Sequence, residues 1–108
     1  MKIAITFIIL VSFTFCTYAA NEKVTVQLSW HHQFQFAGYY AALAKGFYQN
    51  KGLDVELKPI QQGMSPVTEV IENRAQFSQS GVGLLLDLAE GKKVSAIAAT
   101  FQNSPIIF

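Results

Sequence analysis

The sequence lacks several features that define large protein classes. Its 108 residues include a single cysteine, Cys16. One cysteine cannot form a disulfide within the chain, so a disulfide-stapled scaffold is excluded. Eight basic residues stand against seven acidic ones, and they do not cluster. The chain therefore lacks the basic patch that attracts nucleic acid or anionic membranes, and we expect no nucleic-acid partner.

Long hydrophobic runs are also missing, apart from one at the N-terminus. Lys2 precedes a largely apolar stretch from Ile3 to Phe15, which gives way to small residues. The stretch is shorter than the roughly 20 residues that cross a bilayer. It predicts a signal peptide over residues 1–20, cleaved after Ala19 or Ala20. Residues 21–108 then form one small domain, periplasmic or secreted, with no membrane span after cleavage.

Beyond residue 20, strand-like and helix-like patterns alternate. Alternating or continuous apolar residues predict strands, and spacings of three and four predict helices. Ser65 as N-cap and Pro66 at the first position favour a helix start, and Gly46 and Gly52 end the first helical region in steps. The predicted strands are residues 24–30, 53–58, 75–79 and 94–100; the predicted helices begin at Ala37, Pro66 and Leu84 and end near Gly46, Arg74 and Glu90. This order predicts an α/β fold, with a mostly parallel sheet and flanking helices.

The same patterns predict which side chains are buried. The apolar alternation predicts one shared strand face, and a stripe of alanines and aromatics between residues 37 and 48 predicts a buried helix face that includes Tyr40. We expect Tyr39 to point toward a ligand instead. The acidic residues are predicted to lie on solvated faces. The strand-face set is Val24, Val26, Leu28 and Trp30, and the acidic set is Asp54, Glu56, Glu69, Glu72, Asp87 and Glu90.

In an open α/β sheet, ligands bind beyond the carboxyl ends of the strands. Four segments fall there: residues 30–34, 61–65, 78–83 and 100–104. Their polar residues are chiefly Gln, Ser, Asn and His, which suits hydrogen-bonding recognition better than acid-base catalysis. We predict no catalytic residue and no metal ligand. The predicted ligand-binding residues are Trp30, Gln33, Tyr39, Gln62, Gly63, Ser80, Gly81 and Gln102.

Each of these candidates has a plainer alternative. Trp30 offers a flat face for stacking a ring, or is a core indole. The Ser-Gly-Val-Gly sequence at residues 80–83 binds an anion at a helix start, or is an ordinary tight turn. Gln102 reaches into the cleft, or satisfies loop backbone groups. Neighbouring His31 and His32 point opposite ways on an extended segment, which favours loop histidines over a metal or catalytic site.

One segment carries a family resemblance. The segment contains Trp30, the run F-A-G-Y-Y-A-A from Phe36, K-G-F-Y from Lys45 and G-L-D-V from Gly52. In these residues it resembles a solute-binding family. That family contains the thiamine-pyrimidine-precursor synthases and the periplasmic binding proteins for sulfonates, taurine, nitrate and formylaminopyrimidine. The resemblance extends to residue 108. Such proteins are normally about three times longer, so it implies an incomplete first lobe of a two-lobed periplasmic binding protein.

We expect a non-enzymatic role without a cofactor, because the catalytic residues of the synthase-like relatives are missing here. The expected function is binding of a small molecule, such as a thiamine pyrimidine precursor or a related small anion, for an ABC transporter permease or a downstream signalling domain. One alternative is a thiamine pyrimidine synthase, which uses pyridoxal phosphate held on a lysine, its own histidine and iron. The lysine and histidine should fall near Ser80 and Leu84, which cannot do their chemistry. The other alternative is a truncated remnant without function.

Overall fold

Two parallel strands form the centre of the fold. The computed structural model describes residues 20–101 and residue 103. Strand β1 (Glu22–Gln27) pairs in parallel with β2 (Leu53–Lys58), in a register that sets Glu22 against Leu53 and Gln27 against Lys58. The bounds of β2 are those predicted from the alternation of apolar and charged residues. The predicted signal peptide lies outside the described residues, except for Ala20.

A third, short strand completes the described sheet. Strand β3 (Phe77–Ser78) pairs in parallel with the end of β1, so the strand order is β2-β1-β3. The parallel sheet with helical connections confirms the predicted α/β fold. The predicted strand over residues 75–79 is too long, because ladder pairing reaches only Val26 and Gln27 of β1.

The connection from β1 to β2 contains the longest helix described. A 3-10 turn (Phe34–Phe36) leads into α1 (Ala37–Ala44), and a second 3-10 turn (Gln49–Lys51) precedes β2. Gly46 and Gly52 have φ values of 68° and 74°. These are left-handed conformations that glycine adopts without steric cost, so the predicted stepwise ending is confirmed.

Two six-residue helices follow. Helix α2 (Pro66–Ile71) starts with proline in the first turn, after Ser65 in extended backbone, as predicted. It ends earlier than the predicted Arg74, because Asn73 turns into the left-handed region at φ 57°. Helix α3 (Leu84–Ala89) is followed by Gly91 at φ 79°.

The core lies where α2 packs against β1 and β3, and Phe36 of the first 3-10 turn is also buried. Leu28 is the most completely enclosed apolar side chain described, at 0 % exposure. The other buried apolar residues are Val24, Phe36, Val67 and Ala75. Gln27, at 1 % exposure, is buried beside Leu28. The strict alternation predicted for β1 is therefore wrong at its end, where consecutive residues are both enclosed.

The first predicted strand ends early, and the predicted buried face of α1 is not buried in the described structure. Trp30 lies beyond the end of β1 and is 51 % exposed, because the ladder stops at Gln27 and the chain turns. Helix α1 has no buried residue, and Tyr40 is half-buried. The predicted buried stripe on α1 is wrong for the described part, since apolar side chains surround the whole helix and the described elements enclose none of them.

The predicted strand over residues 94–100 is also wrong. Residues 94–99 have no regular secondary structure, and Ile97 is exposed. Apolar composition favours a strand but does not supply a partner to pair with. The described part of β3 provides an edge of only two residues.

One acidic residue, Glu69, is buried although it was predicted to lie on a solvated face. Glu69 on α2 is only 7 % exposed, and its carboxylate accepts two hydrogen bonds from Arg74, at 2.9 Å from Nε and 2.6 Å from Nη2. Arg74 also pairs with Glu72. The hydrogen bonds from Arg74 hold the pKa of Glu69 below its ordinary value, and the bond to Glu69 raises the pKa of Arg74. The sequence-based placement of Glu69 on a solvated face is wrong.

This pair predicts a loss of stability in acid. A carboxyl group whose folded pKa is depressed contributes stability above its unfolded pKa, near 4.5, and loses it as pH falls through the folded pKa. We therefore expect the urea midpoint of unfolding to fall from pH 6 to pH 3, and to fall less in Glu69→Gln. Replacing the exposed carboxylate Glu22 by Gln serves as the matched control. An equally steep pH dependence in Glu69→Gln and the unmodified chain contradicts the assignment.

Candidate functional site

Three loops meet at the carboxyl edge of the sheet. They follow the three strands, and because the strands are parallel their ends lie on the same side. Backbone hydrogen bonds join the first two loops: Leu28 donates to the carbonyl of Lys58 at 2.8 Å, and Ile60 donates to the carbonyl of Trp30 at 3.2 Å. At the edge where the site is predicted, the loops after β1 and β2 are therefore joined to each other by hydrogen bonds.

A buried glutamine fixes the path of these two loops. The side-chain Nε2 of Gln27 lies within hydrogen-bonding distance of three carbonyl oxygens, those of Leu28 at 3.1 Å, Lys58 at 3.2 Å and Pro59 at 3.1 Å. A buried carboxamide needs such partners, since an unpaired one costs free energy. Sequence reasoning missed Gln27, because strand alternation places it on the polar face.

The third loop is joined to β1 by a second glutamine. The backbone N–H of Gln79 donates to the carbonyl of Gln27 at 2.8 Å. The hydroxyl of Ser29 donates to Oε1 of the Gln79 side chain. Neither Ser29 nor Gln79 was among the predicted site residues. Their positions after β1 and β3 were the only available signal.

Trp30 is the aromatic surface at this edge. Its half-exposed indole meets the His31 ring edge-on, with ring centroids 5.7 Å apart. An indole that is 51 % exposed is not a core residue of the described structure. The indole is open to solvent at this edge, and its stacking on a ligand stays a prediction.

Gln62 and Gly63 occupy the turn between β2 and α2. Both are exposed, and Gly63 has φ 78°, which a side chain would strain. Their neighbours Gln61 and Met64 line a recess of about 480 Å³ together with Gln27, Glu56, Lys58, Pro59, Glu69 and Arg74. The charged groups in this recess are of both signs, and Glu69 and Arg74 already satisfy each other.

Ser80 and Gly81 follow β3 and lead into α3. The N–H groups of Leu84, Leu85 and Leu86 donate to the carbonyls of Gly81, Val82 and Gly83, at 3.0 to 3.1 Å. These amides are therefore engaged within the turn. The geometry is that of a tight strand-to-helix connection, and α3 is too short to add a substantial dipole.

Tyr39 lies apart from the contacts that join the three loops. With Gln35, Gly38, Tyr48 and Thr100 it lines an open recess of about 290 Å³ along α1. Burial, and secondarily the neighbouring Tyr39, raise the pKa of Tyr48. The recess contains hydroxyl and amide groups but no charged side chain.

The remaining predicted residues are dispersed. Gln33 is exposed, and its carbonyl accepts the first hydrogen bond of the 3-10 turn, from Phe36 at 3.1 Å. His32 contacts the Tyr40 hydroxyl through Nδ1 at 2.7 Å, as a hydrogen-bonded loop histidine does. Gln102 lies outside the described residues. Trp30, Gln62, Gly63, Ser80 and Gly81 lie on the three loops that leave the same edge of the sheet, and these residues stay predicted ligand contacts.

The two positions at which the resemblance implies the lysine and histidine of the synthase do not fit its cofactor. A Schiff base with pyridoxal phosphate needs a lysine amine, and position 80 on the β3 loop is a serine. Leu84, at the start of α3, has no imidazole. Over residues 20–101, no three His, Cys, Asp or Glu side chains come together as a metal site. No helix in that part of the chain is long and apolar enough to cross a membrane.

Comparisons with known proteins identify the family. The family model described as NMT1/THI5 like matches residues 33–108. The chain is 31 % identical over 93 residues to the riboflavin-binding protein RibY of Chloroflexus aurantiacus. That match covers 81 % of this chain and 26 % of the relative, so the chain spans about a quarter of the length of that protein. No solved structure matches significantly. Because the family model covers more than half of the sequence, the chain belongs to the NMT1/THI5-like family of periplasmic-binding-protein type.

Proposed function

We propose that this chain forms part of an exported solute-binding protein that binds a small planar heterocycle. The observation that carries the proposal is the exposed indole of Trp30 at the carboxyl edge of the sheet, held there by the hydrogen bond between its carbonyl and Ile60. An aromatic ring in this position can stack on a flat ligand. The polar groups of the adjoining loops are amides and hydroxyls, which recognise a neutral heterocycle by hydrogen bonding.

Two observations favour a ring over a small anion such as taurine. The amides of residues 84–86 are bonded within the turn, so the β3 loop offers fewer free N–H groups to an anion. The relative RibY is named for binding riboflavin, whose ring system is planar. A thiamine pyrimidine precursor, expected from the resemblance, shares that flat shape. The proposed ligand class therefore includes pyrimidines and flavins.

Binding to the described surface should be weak. The three loops contact a ligand from one side and leave its other face in water, and affinity depends on enclosing most of the ligand. We expect dissociation constants of about 1 mM, equivalent to about 4 kcal/mol, for hydroxymethylpyrimidine in NMR titrations of this chain. Riboflavin, at micromolar concentration, should lose fluorescence as the protein is added. Taurine should bind more weakly than either.

The panel separates the possible outcomes. Stronger binding of taurine than of either ring compound contradicts the ligand class. Submicromolar binding of a ring compound contradicts the one-sided site. Absence of any ring binding at 10 mM protein or pyrimidine contradicts the function itself.

Export is proposed from the N-terminal sequence pattern. Cleavage after Ala19 or Ala20 leaves a mature chain beginning near Asn21. Intact-mass measurement of protein from the periplasm should give this shortened mass, while a soluble cytoplasmic product that retains residues 1–20 contradicts export. The resemblance further implies delivery of the ligand to an ABC transporter or a sensor. Measuring the uptake of labelled pyrimidine in a strain that lacks the gene tests this delivery.

A further inference from the structure

The contact between Ser29 and Gln79 connects two loops of the proposed site. Ser29 lies just after β1 and next to Trp30, while Gln79 lies directly after β3 and next to Ser80. The backbone of Gln79 is fixed to β1 through the carbonyl of Gln27. Its side chain is joined to the loop after β1, through the hydroxyl of Ser29. Gln79 is therefore held by its backbone N–H and by the oxygen of its carboxamide.

The direction of this hydrogen bond determines what Gln79 can offer. Ser29 donates its hydroxyl proton to Oε1, so the acceptor atom of the carboxamide is occupied. The two protons on Nε2 have no acceptor among the described residues. All fully buried side-chain nitrogen and oxygen atoms of the described part have partners, so Nε2 of half-buried Gln79 is in contact with solvent. It is an oriented donor on the β3 loop, bonded to the residue that precedes Trp30 in the chain.

We propose that Ser29 orients Gln79 as a hydrogen-bond donor to the ligand, so that the site selects planar heterocycles that present a carbonyl oxygen or ring nitrogen toward the β3 loop. The inference rests on the proposed function, and it names the residue that hydrogen-bonds to the ligand. Trp30 supplies a stacking face that tolerates many rings. Gln79 distinguishes rings with an acceptor at that edge from rings without one, because an unmet donor in a partly desolvated site costs binding free energy.

Gln76 shows that a glutamine near β3 can have a different role. Its Oε1 accepts the backbone N–H of Thr25 at 2.7 Å, within the sheet and away from the loops. That glutamine completes the pairing of β1. Gln79 instead bonds to a side chain at the carboxyl edge, which leaves its amino group for a ligand.

The direct test is the side-chain amide signal of Gln79 in ¹H–¹⁵N spectra, identified by its absence in Gln79→Leu. Addition of hydroxymethylpyrimidine, whose ring nitrogens are acceptors, should shift this signal. The side-chain amide of Gln49, exposed in the 3-10 turn before β2, should not move. Gln49→Leu is the matched control variant, expected to bind as the unmodified chain does.

Affinities should show that Ser29 acts through Gln79. We expect Gln79→Leu to weaken pyrimidine binding about tenfold, and Ser29→Ala about threefold, since a released carboxamide can rotate away. Ser29→Thr keeps the hydroxyl and should retain the original affinity. When Gln79→Leu is already present, adding Ser29→Ala should not weaken pyrimidine binding further. If the two residues acted independently, the double variant would lose affinity by the product of the two single losses.

The outcomes distinguish this inference from the function on which it rests. Pyrimidine binding with an unmoved Gln79 amide, or with multiplied losses in the double variant, overturns the role of Ser29 and Gln79 alone. Failure of the unmodified chain to bind any ring compound overturns the proposed function and this inference with it. Circular dichroism of each variant excludes unfolding as the cause of a loss.

Discussion

Replacing Leu28 by alanine should largely unfold this chain. Leu28 has 0 % exposure and follows β1 where the first two loops begin. Removing most of a buried leucine side chain costs about 2–5 kcal/mol, through lost transfer free energy and the cavity left behind. With five buried apolar residues described, this chain is expected at the low end of the usual range of stabilities, at about 5 kcal/mol in total. Urea unfolding followed by circular dichroism should show a midpoint near zero urea, or no cooperative transition.

Leu86 provides the matched control. It lies on α3 and is 70 % exposed, so Leu86→Ala should change stability by no more than about 0.5 kcal/mol. Leu28→Met, which conserves volume, should cost less than about 1.5 kcal/mol. If Leu28→Ala is no more destabilising than Leu86→Ala, the core has been placed wrongly.

Replacing Trp30 by alanine should remove most of the binding of ring compounds. We expect about a tenfold weaker association with hydroxymethylpyrimidine and loss of riboflavin fluorescence quenching, because alanine has no face for stacking. Taurine has no ring, so its weak binding should change less than twofold. Since the indole is half-exposed, the fold should persist.

An exposed aromatic elsewhere controls for nonspecific contact. Phe47 lies beyond α1, before β2, and is also more than half exposed. Phe47→Ala should leave ring binding unchanged, and Trp30→Phe should retain part of it. Equal losses of ring and taurine binding in Trp30→Ala show that Trp30 supports the fold and is not a stacking surface.

The sequence correctly predicted those helices and strands whose limits are set by residues nearby in the chain. β2 was predicted to the residue, because Leu53, Val55 and Leu57 alternate with polar residues between a glycine and a proline. Pro66 marked the start of α2 for a similar local reason. Residues 94–100 were predicted wrongly because a strand requires a partner, and pairing depends on what lies alongside in space.

The site was predictable in position but not in its supporting contacts. Parallel strands place their carboxyl ends together, so Trp30, Gln62 and Ser80 could be assigned to one edge. Gln27 and Gln79 were missed because their importance comes from contacts with residues about 30 and 50 positions away in sequence. Strand alternation assigns Gln27 to a polar face and carries no information about the carbonyls that surround its amide.

The most direct test of the account is a map of chemical-shift changes during titration of the ¹⁵N-labelled chain with hydroxymethylpyrimidine. We expect the largest changes at the Trp30 indole N–H, the backbone amides of Gly63 and Gly81, and the side-chain amide of Gln79. Little change is expected at residues 45–52, on the opposite edge of the sheet. Changes concentrated at residues 45–52, or no change at the Trp30 indole despite saturable binding, would contradict a ligand site at the carboxyl edge.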